Sequence, residues 1–245
     1  MPRWGLIDRP VLRLPETESR LQRWAAAAPG LLFLVGGLLG LAAAAELFRY
    51  GILLYNRTRL VSPTTLVVSD ALVMFAEVAS IVIGIAAAIA SACWLISRRQ
   101  VIFERAGTQD PRSARGILVG SLIPILSLAM PGVFLTELVD AKGGSDRPRA
   151  LVLVRIWWAA WVINWGFVLA AILWRFRDSL QSRADGVLFS ALVALVGLAV
   201  VLLTIRLIRT IDDQRWRGND RKAPTRWTVS VQCETEPAAA KVPVS

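Results

Sequence analysis

Eight side chains in this sequence carry a charge or an amide where hydrocarbon is expected on at least one side. Glu46 and Arg49 end one apolar run, Glu77 enters a second, and Arg155 and Asn164 lie within another. Arg98, Arg99 and Arg105 follow directly on the second run. An ionised group at the centre of a span costs about 2.5–3.5 kcal/mol or more, so it is paired, snorkels to the interface, or serves an ion or substrate. Glu46, Arg49 and Glu77 would support a relay of protons or substrate. The plainer expectation is an ion pair, Arg49 with Glu77 or with Glu46. Arg155 has Glu137 and Asp140 as its expected partners, and Asn164 is expected to bond a neighbouring helix. Arg98, Arg99 and Arg105 are expected to hold anionic lipid headgroups.

Catalytic chemistry finds little to work with. Histidine is absent, which removes the commonest general base and metal ligand. Cys93 sits in an apolar run and Cys233 in a polar tail, a spacing that suits neither a disulfide framework nor a metal site. No nucleophile motif, carboxylate pair or phosphate-cradling loop stands out, and Gly36-Gly37-x-x-Gly40 lies inside an apolar run, where it reads as a packing motif. The expectation is a non-enzymatic protein with no cofactor and no bound metal.

The elements that position these residues are helices. The chain is 245 residues long and 55% apolar, and the excess over a soluble domain gathers in five runs, 31–53, 71–96, 116–139, 151–174 and 186–208. Each is near the ~20 residues that a helix needs to cross hydrocarbon. The reading is an all-α, polytopic membrane bundle, with 1–30 as a polar lead-in, 31–208 as the transmembrane domain and 209–245 as a disordered basic tail. Within the lead-in, residues 16–28 read as a short interfacial helix that Pro29-Gly30 breaks. The second run is expected to continue as helix past Trp94 to about Arg105, with Gly107 and Asp110-Pro111 ending it. Gly36, Gly40 and Ala44 on the first run, and Ser80, Gly84, Ala88 and Ala92 on the second, repeat every four residues, so these two faces are expected to touch. Trp157, Trp161 and Trp165 form a stripe, and Trp24, Trp94 and Trp174 fall near expected interfaces.

The run 116–139 decides the topology, because Pro124 and Pro131 interrupt it. Each proline costs about 3 kcal/mol inside a regular helix. If all five runs span, the 28 basic residues divide 13 to 15 between the two sides, and neither orientation is preferred. If the broken run enters and leaves on one face, only Arg49, Arg57, Arg59, Arg175, Arg177 and Arg183 lie outside and the other 22 lie inside. The count selects four spans plus a re-entrant or interfacial segment, with both termini in the cytoplasm of a plasma membrane. The alternative is a kinked fifth span.

The blocks Trp94-Leu95-x-x-Arg98-Arg99, Pro111-Arg112-Ser113-x-x-Gly116, Ile123-Pro124-x-x-Ser127-x-x-x-Pro131 and Trp157-Trp158-x-x-Trp161 occur in this order. Together they resemble an actinobacterial membrane family, domain of unknown function 4328, over roughly residues 31–215. The resemblance implies an integral membrane protein and supplies no activity. The net charge of +10 is almost all arginine bordering apolar runs, which points to a membrane surface and away from nucleic acid. The expected partners are anionic lipid headgroups and other membrane proteins, a second copy included. A small transporter or channel using Glu46, Arg49 and Glu77 is the alternative.

Overall fold

A computed structural model of the chain describes residues 20–55, 62–174, 176 and 180–212. The polar residues before Arg20, including the first four residues (16–19) of the expected interfacial helix, and the tail from 213 onward lie outside the described residues. The described elements are helices: α1 (Arg20–Tyr55), α2 (Pro63–Arg105), α3 (Ala114–Leu122), α4 (Pro124–Ser127), α5 (Met130–Lys142), α6 (Arg147–Trp174) and α7 (Leu180–Ile211). Four of them, α1, α2, α6 and α7, are long and apolar enough to cross a membrane. Their surfaces agree with that reading. Met74, Phe75, Ile81 and Ile85 on α2, and Ile163 and Leu173 on α6, are exposed, as lipid-facing side chains are.

Local chemistry sets the helix ends. Ser62 caps α2, accepting the Thr65 N–H on Oγ at 3.3 Å, and Pro63 follows in the first turn. Forty-three residues later the helix stops at Gly107, whose φ of +65° suits a residue without a Cβ. Ser113 caps α3 in the same way, through the Gly116 N–H at 3.1 Å. Both prolines of the broken run sit in first turns, Pro124 in α4 and Pro131 in α5, where the missing N–H has no intrahelical partner to lose. The breaks fall at Ile123, which is extended, and between Ser127 and Met130.

Neighbouring spans run antiparallel. Gly36 of α1 faces Val201 of α7, and Leu39 faces Gly197. Trp157 of α6 meets Thr204, and Trp174 meets Gly186. Arg49 near the end of α1 meets Asp70 near the start of α2. The start of α1 and the end of α7 therefore lie at the same end of the bundle, together with the end of α2 and the start of α6. One large cluster of buried residues joins them there, including Ala28, Ile96, Leu138, Val154 and Ile205. The spans pack in the order α2, α1, α7, α6, and α5 contacts both α2 and α6, so the broken segment closes the ring at this end.

That broken segment is a hairpin. It descends as α3, turns at α4 and returns as α5 alongside α6. Trp158 and Trp161, about halfway along the 28-residue α6, mark the depth of the turn. The hairpin returns to the end it left, as the charge count selected, and does not cross as a fifth span.

Two packing expectations are corrected. Pro29 and Gly30 do not break the chain, because α1 runs through them. Ala25, Ala28, Leu32 and Val35 on both sides of Pro29 are buried in the core cluster, and that packing outweighs the lost hydrogen bond. The four-residue ridges do not form the α1–α2 contact either. Gly36 faces α7, nothing lies within 4 Å of a Cβ built on Gly40 or Gly84, and Ala44 and Ala88 are exposed. Small residues still make the close approach, but from another stripe: Ala42 and Ala43 of α1, Ala76 of α2 and Ala194 of α7 form one buried cluster.

Candidate functional site at the basic end

Arg99 is the largest fully buried side chain of the described residues, with no exposed surface. Its position in the last turns of α2 aims the guanidinium between the loop after α2 and the returning α5. Nε donates to Asp110 Oδ2 at 3.0 Å and Nη2 to Asp110 Oδ1 at 2.7 Å, a bidentate fork. Nη2 also donates to Glu137 Oε2 at 3.0 Å, and Nη1 to the Phe134 carbonyl at 2.8 Å. Arg112 completes the set, reaching Glu137 Oε1 at 3.0 Å while its backbone N–H donates to Asp110 Oδ1 at 2.9 Å. The rings of Phe103 and Phe134 lie 5.1 and 5.9 Å from the Arg99 guanidinium carbon. Two cations and two carboxylates thus neutralise one another around the fully buried Arg99, with Arg112 at the solvent edge, and such pairing is the condition under which buried charge is tolerated. Burial pushes the Asp110 carboxyl up, but the hydrogen bonds and charges of Arg99 and Arg112 outweigh it and hold the pKa below its usual value.

A second knot holds the end of α7. Trp94 Nε1 donates to Asp212 Oδ2 at 3.3 Å, and Arg98 Nε lies 2.7 Å from Oδ1. Lys142, at the end of α5, donates to the Ile211 carbonyl at 2.7 Å, a cation placed at a helix C-terminus. Asp212 is largely buried, and burial pushes its pKa up against the opposing pull of Arg98, Trp94 and Lys142.

A third set seals the hairpin's turn. Trp158 Nε1 donates to the Leu128 carbonyl at 2.6 Å and Trp161 Nε1 to the Ser127 carbonyl at 2.8 Å. Ser127 Oγ donates to the Pro124 carbonyl at 2.9 Å. Backbone groups freed by the proline breaks need partners at this depth, and the indoles supply them. Trp157 instead donates to Thr204 Oγ1 of α7 at 2.8 Å.

The residues singled out in the sequence are distributed as follows. Arg99 faces protein on every side and does not face headgroups, because Asp110, Glu137 and the Phe134 carbonyl occupy its donors. Arg98 is ion-paired to Asp212 and part-exposed, and Arg105 is exposed. Arg49 pairs with Asp70 at 3.2 Å, in place of the expected Glu77 or Glu46. Asp70 lies about two helical turns before Glu77, level with Arg49 across the antiparallel pair. Glu46 is buried and Glu77 half-buried. Arg155 meets neither expected partner in an ion pair, since Glu137 serves Arg99 and Arg112, and Asp140 pairs with Arg147 at 2.9 Å. Asn164 packs against Gly197 of α7, its Oδ1 3.6 Å from where a Cβ there would stand, and makes no hydrogen bond among the described residues. Trp94 is a buried hydrogen-bond donor and not a lipid-facing belt residue.

Between α5 and α6 lies a groove of about 330 Å³, lined by Arg155, Glu137, Asp140, Thr136, Trp158 and small apolar residues. The sequence did not reveal it, because its walls come from segments related only by the return of the hairpin.

A family model, described as a domain of unknown function, DUF4328, matches residues 57–213. The match takes in α2 to α7, and with them the hairpin, the Arg99 quartet and the groove. No curated protein and no solved structure matches the chain. With well over half of its length matched, the chain belongs to the DUF4328 family.

Proposed function

We propose that this protein is a non-enzymatic integral membrane protein of the plasma membrane, with the basic end of its bundle in the cytoplasm. It acts by holding anionic lipid headgroups there and by associating with other membrane proteins. The observation that carries this reading is the one-sided charge. Arg23, Arg105, Arg115 and Arg149 are exposed at the end where the hairpin opens. In the sequence, the returning path puts 22 of the 28 basic residues on this side and six, Arg49, Arg57, Arg59, Arg175, Arg177 and Arg183, on the other, and Arg49 is paired with Asp70. Each arginine close to an anionic leaflet contributes about 1 kcal/mol.

The test is native mass spectrometry of the purified chain with phosphatidylglycerol. Replacing Arg105, Arg115 and Arg149 together by Gln should reduce lipid retention at least about tenfold. Unchanged retention would contradict the reading. Arg98 and Arg99 are unsuitable for this test, since their charges are engaged within the protein.

A small transporter or channel is the second reading, favoured by Glu46, a carboxylate buried inside a span. The hairpin lends it less support than a broken helix usually does, because the carbonyls of Ser127 and Leu128 are occupied by tryptophans. Flux into proteoliposomes that disappears on Glu46→Gln would favour this reading over the first.

A further inference from the structure

The groove between α5 and α6 holds opposite charges that do not meet. Arg155 stands on the α6 wall, exposed and without an ion pair among the described residues. On the α5 wall, Glu137 has both oxygens engaged by Arg99 and Arg112. Asp140 uses only Oδ1, toward Arg147, and its Oδ2 has no partner among the described residues. A cation and a half-used carboxylate across one groove suit a ligand that carries a negative and a positive group of its own. Val133 and Val154 make much of the surface between them apolar, the Thr136 hydroxyl there donates to the Gly132 carbonyl at 2.8 Å, and Trp158 lies at the deeper end. Val133, Val152 and Ile156 beside the groove are exposed on the lipid-facing surface.

We propose that this groove binds the headgroup of an aminophospholipid, a phosphoethanolamine, with its phosphate on Arg155 and its ammonium on Asp140. The acyl chains lie along the apolar surface beside Val133 and Ile156. The inference rests on the lipid-association reading above and names the lipid for one site. A choline headgroup has the same two charges, but its quaternary nitrogen carries no N–H to donate to Asp140. A glycerol headgroup supplies the phosphate and leaves Asp140 unanswered. The volume, about 330 Å³, falls in the range of small-ligand pockets.

The experiment is native mass spectrometry of the full chain with an equimolar mixture of phosphatidylethanolamine, phosphatidylcholine and phosphatidylglycerol of identical acyl chains. Wild type should retain the ethanolamine lipid about fivefold over the choline lipid, the size of one net hydrogen bond. Arg155→Gln and Asp140→Asn should each abolish that preference, and Arg155→Lys should keep it. Retention of phosphatidylglycerol on the exposed arginines should survive Asp140→Asn. Equal retention of the ethanolamine and choline lipids by wild type overturns the proposal, as does a preference that persists in either charge-removing variant. Loss of phosphatidylglycerol retention alone, with the ethanolamine preference intact, contradicts the general basic-face reading and supports the groove.

Discussion

Arg99 shows how little a single residue type says about its role. Arg98, Arg99 and Arg105 read alike in the sequence, as basic side chains just past an apolar run. Only Arg99 is buried, because its carboxylate partners arrive from Asp110 in the next loop and Glu137 on the far arm of the hairpin. No local period links those positions, so the site was not legible. Removing one member of a buried ion set leaves the others uncompensated, at a cost of about 3–5 kcal/mol. Arg99→Gln should therefore lower the thermal midpoint in detergent sharply, whereas Arg105→Gln should leave it nearly unchanged; equal midpoints would argue against the quartet as a structural lock. The pH profile of the same melts separates the two part-buried acids, Asp110 and Asp212. Asp110 has a lowered pKa in the folded protein, so its contribution is present above the usual value of 3.8 and is lost as pH falls through its folded value. The stability advantage of wild type over Asp110→Asn should shrink below about pH 4. Asp212 has a raised pKa, so its charged form is disfavoured by folding, and lowering the pH through the folded value toward 3.8 relieves that cost. The standing of wild type against Asp212→Asn should improve over that interval, the opposite direction.

The elements were more legible than their contacts. The proline breaks of the hairpin, the extension of α2 past Trp94 and its stop at Gly107 follow from residues within a few positions of the event. Pro29 misled because α1 is held on both sides of it by tertiary packing, which no local signal reports. The glycine ridges misled because spacing identifies a face without naming the neighbour it meets. The indoles of Trp158 and Trp161 were visible as a cluster, but their role as partners of the hairpin's turn required the turn to be placed beside them. Leaving a buried carbonyl unpaired costs about 1–3 kcal/mol, so Trp158→Phe and Trp161→Phe together should destabilise the hairpin and expose Ser127 to hydrogen exchange. Gly132→Ala should act in the same direction from the other side, since a Cβ there would stand 2.9 Å from Trp158 Cδ1. Exchange at Ser127 that is unaltered in these variants would show that the indoles do not hold the turn.

For the whole molecule, the arrangement of charge and the path of the chain are one property. Four spans and a returning hairpin bring the ends of α2, α5 and α7 and the starts of α1 and α6 to one end, where the exposed arginines gather. A kinked fifth span would have split them between two faces. The topology was legible because the positive-inside count discriminates strongly between the two paths. The fold alone could not be read as a function, since many activities share helical bundles. Cysteine accessibility tests the central claim most directly. In a Cys93→Ser, Cys233→Ser background, single substitutions Ser62→Cys, Thr108→Cys and Ser145→Cys would be treated with a membrane-impermeant maleimide in intact and in lysed cells. Thr108→Cys and Ser145→Cys, on either side of the hairpin, should both label only after lysis, and Ser62→Cys should label in intact cells. Labelling of Ser145→Cys in intact cells while Thr108→Cys stays protected would mean that the hairpin crosses the membrane, contrary to everything built on its return.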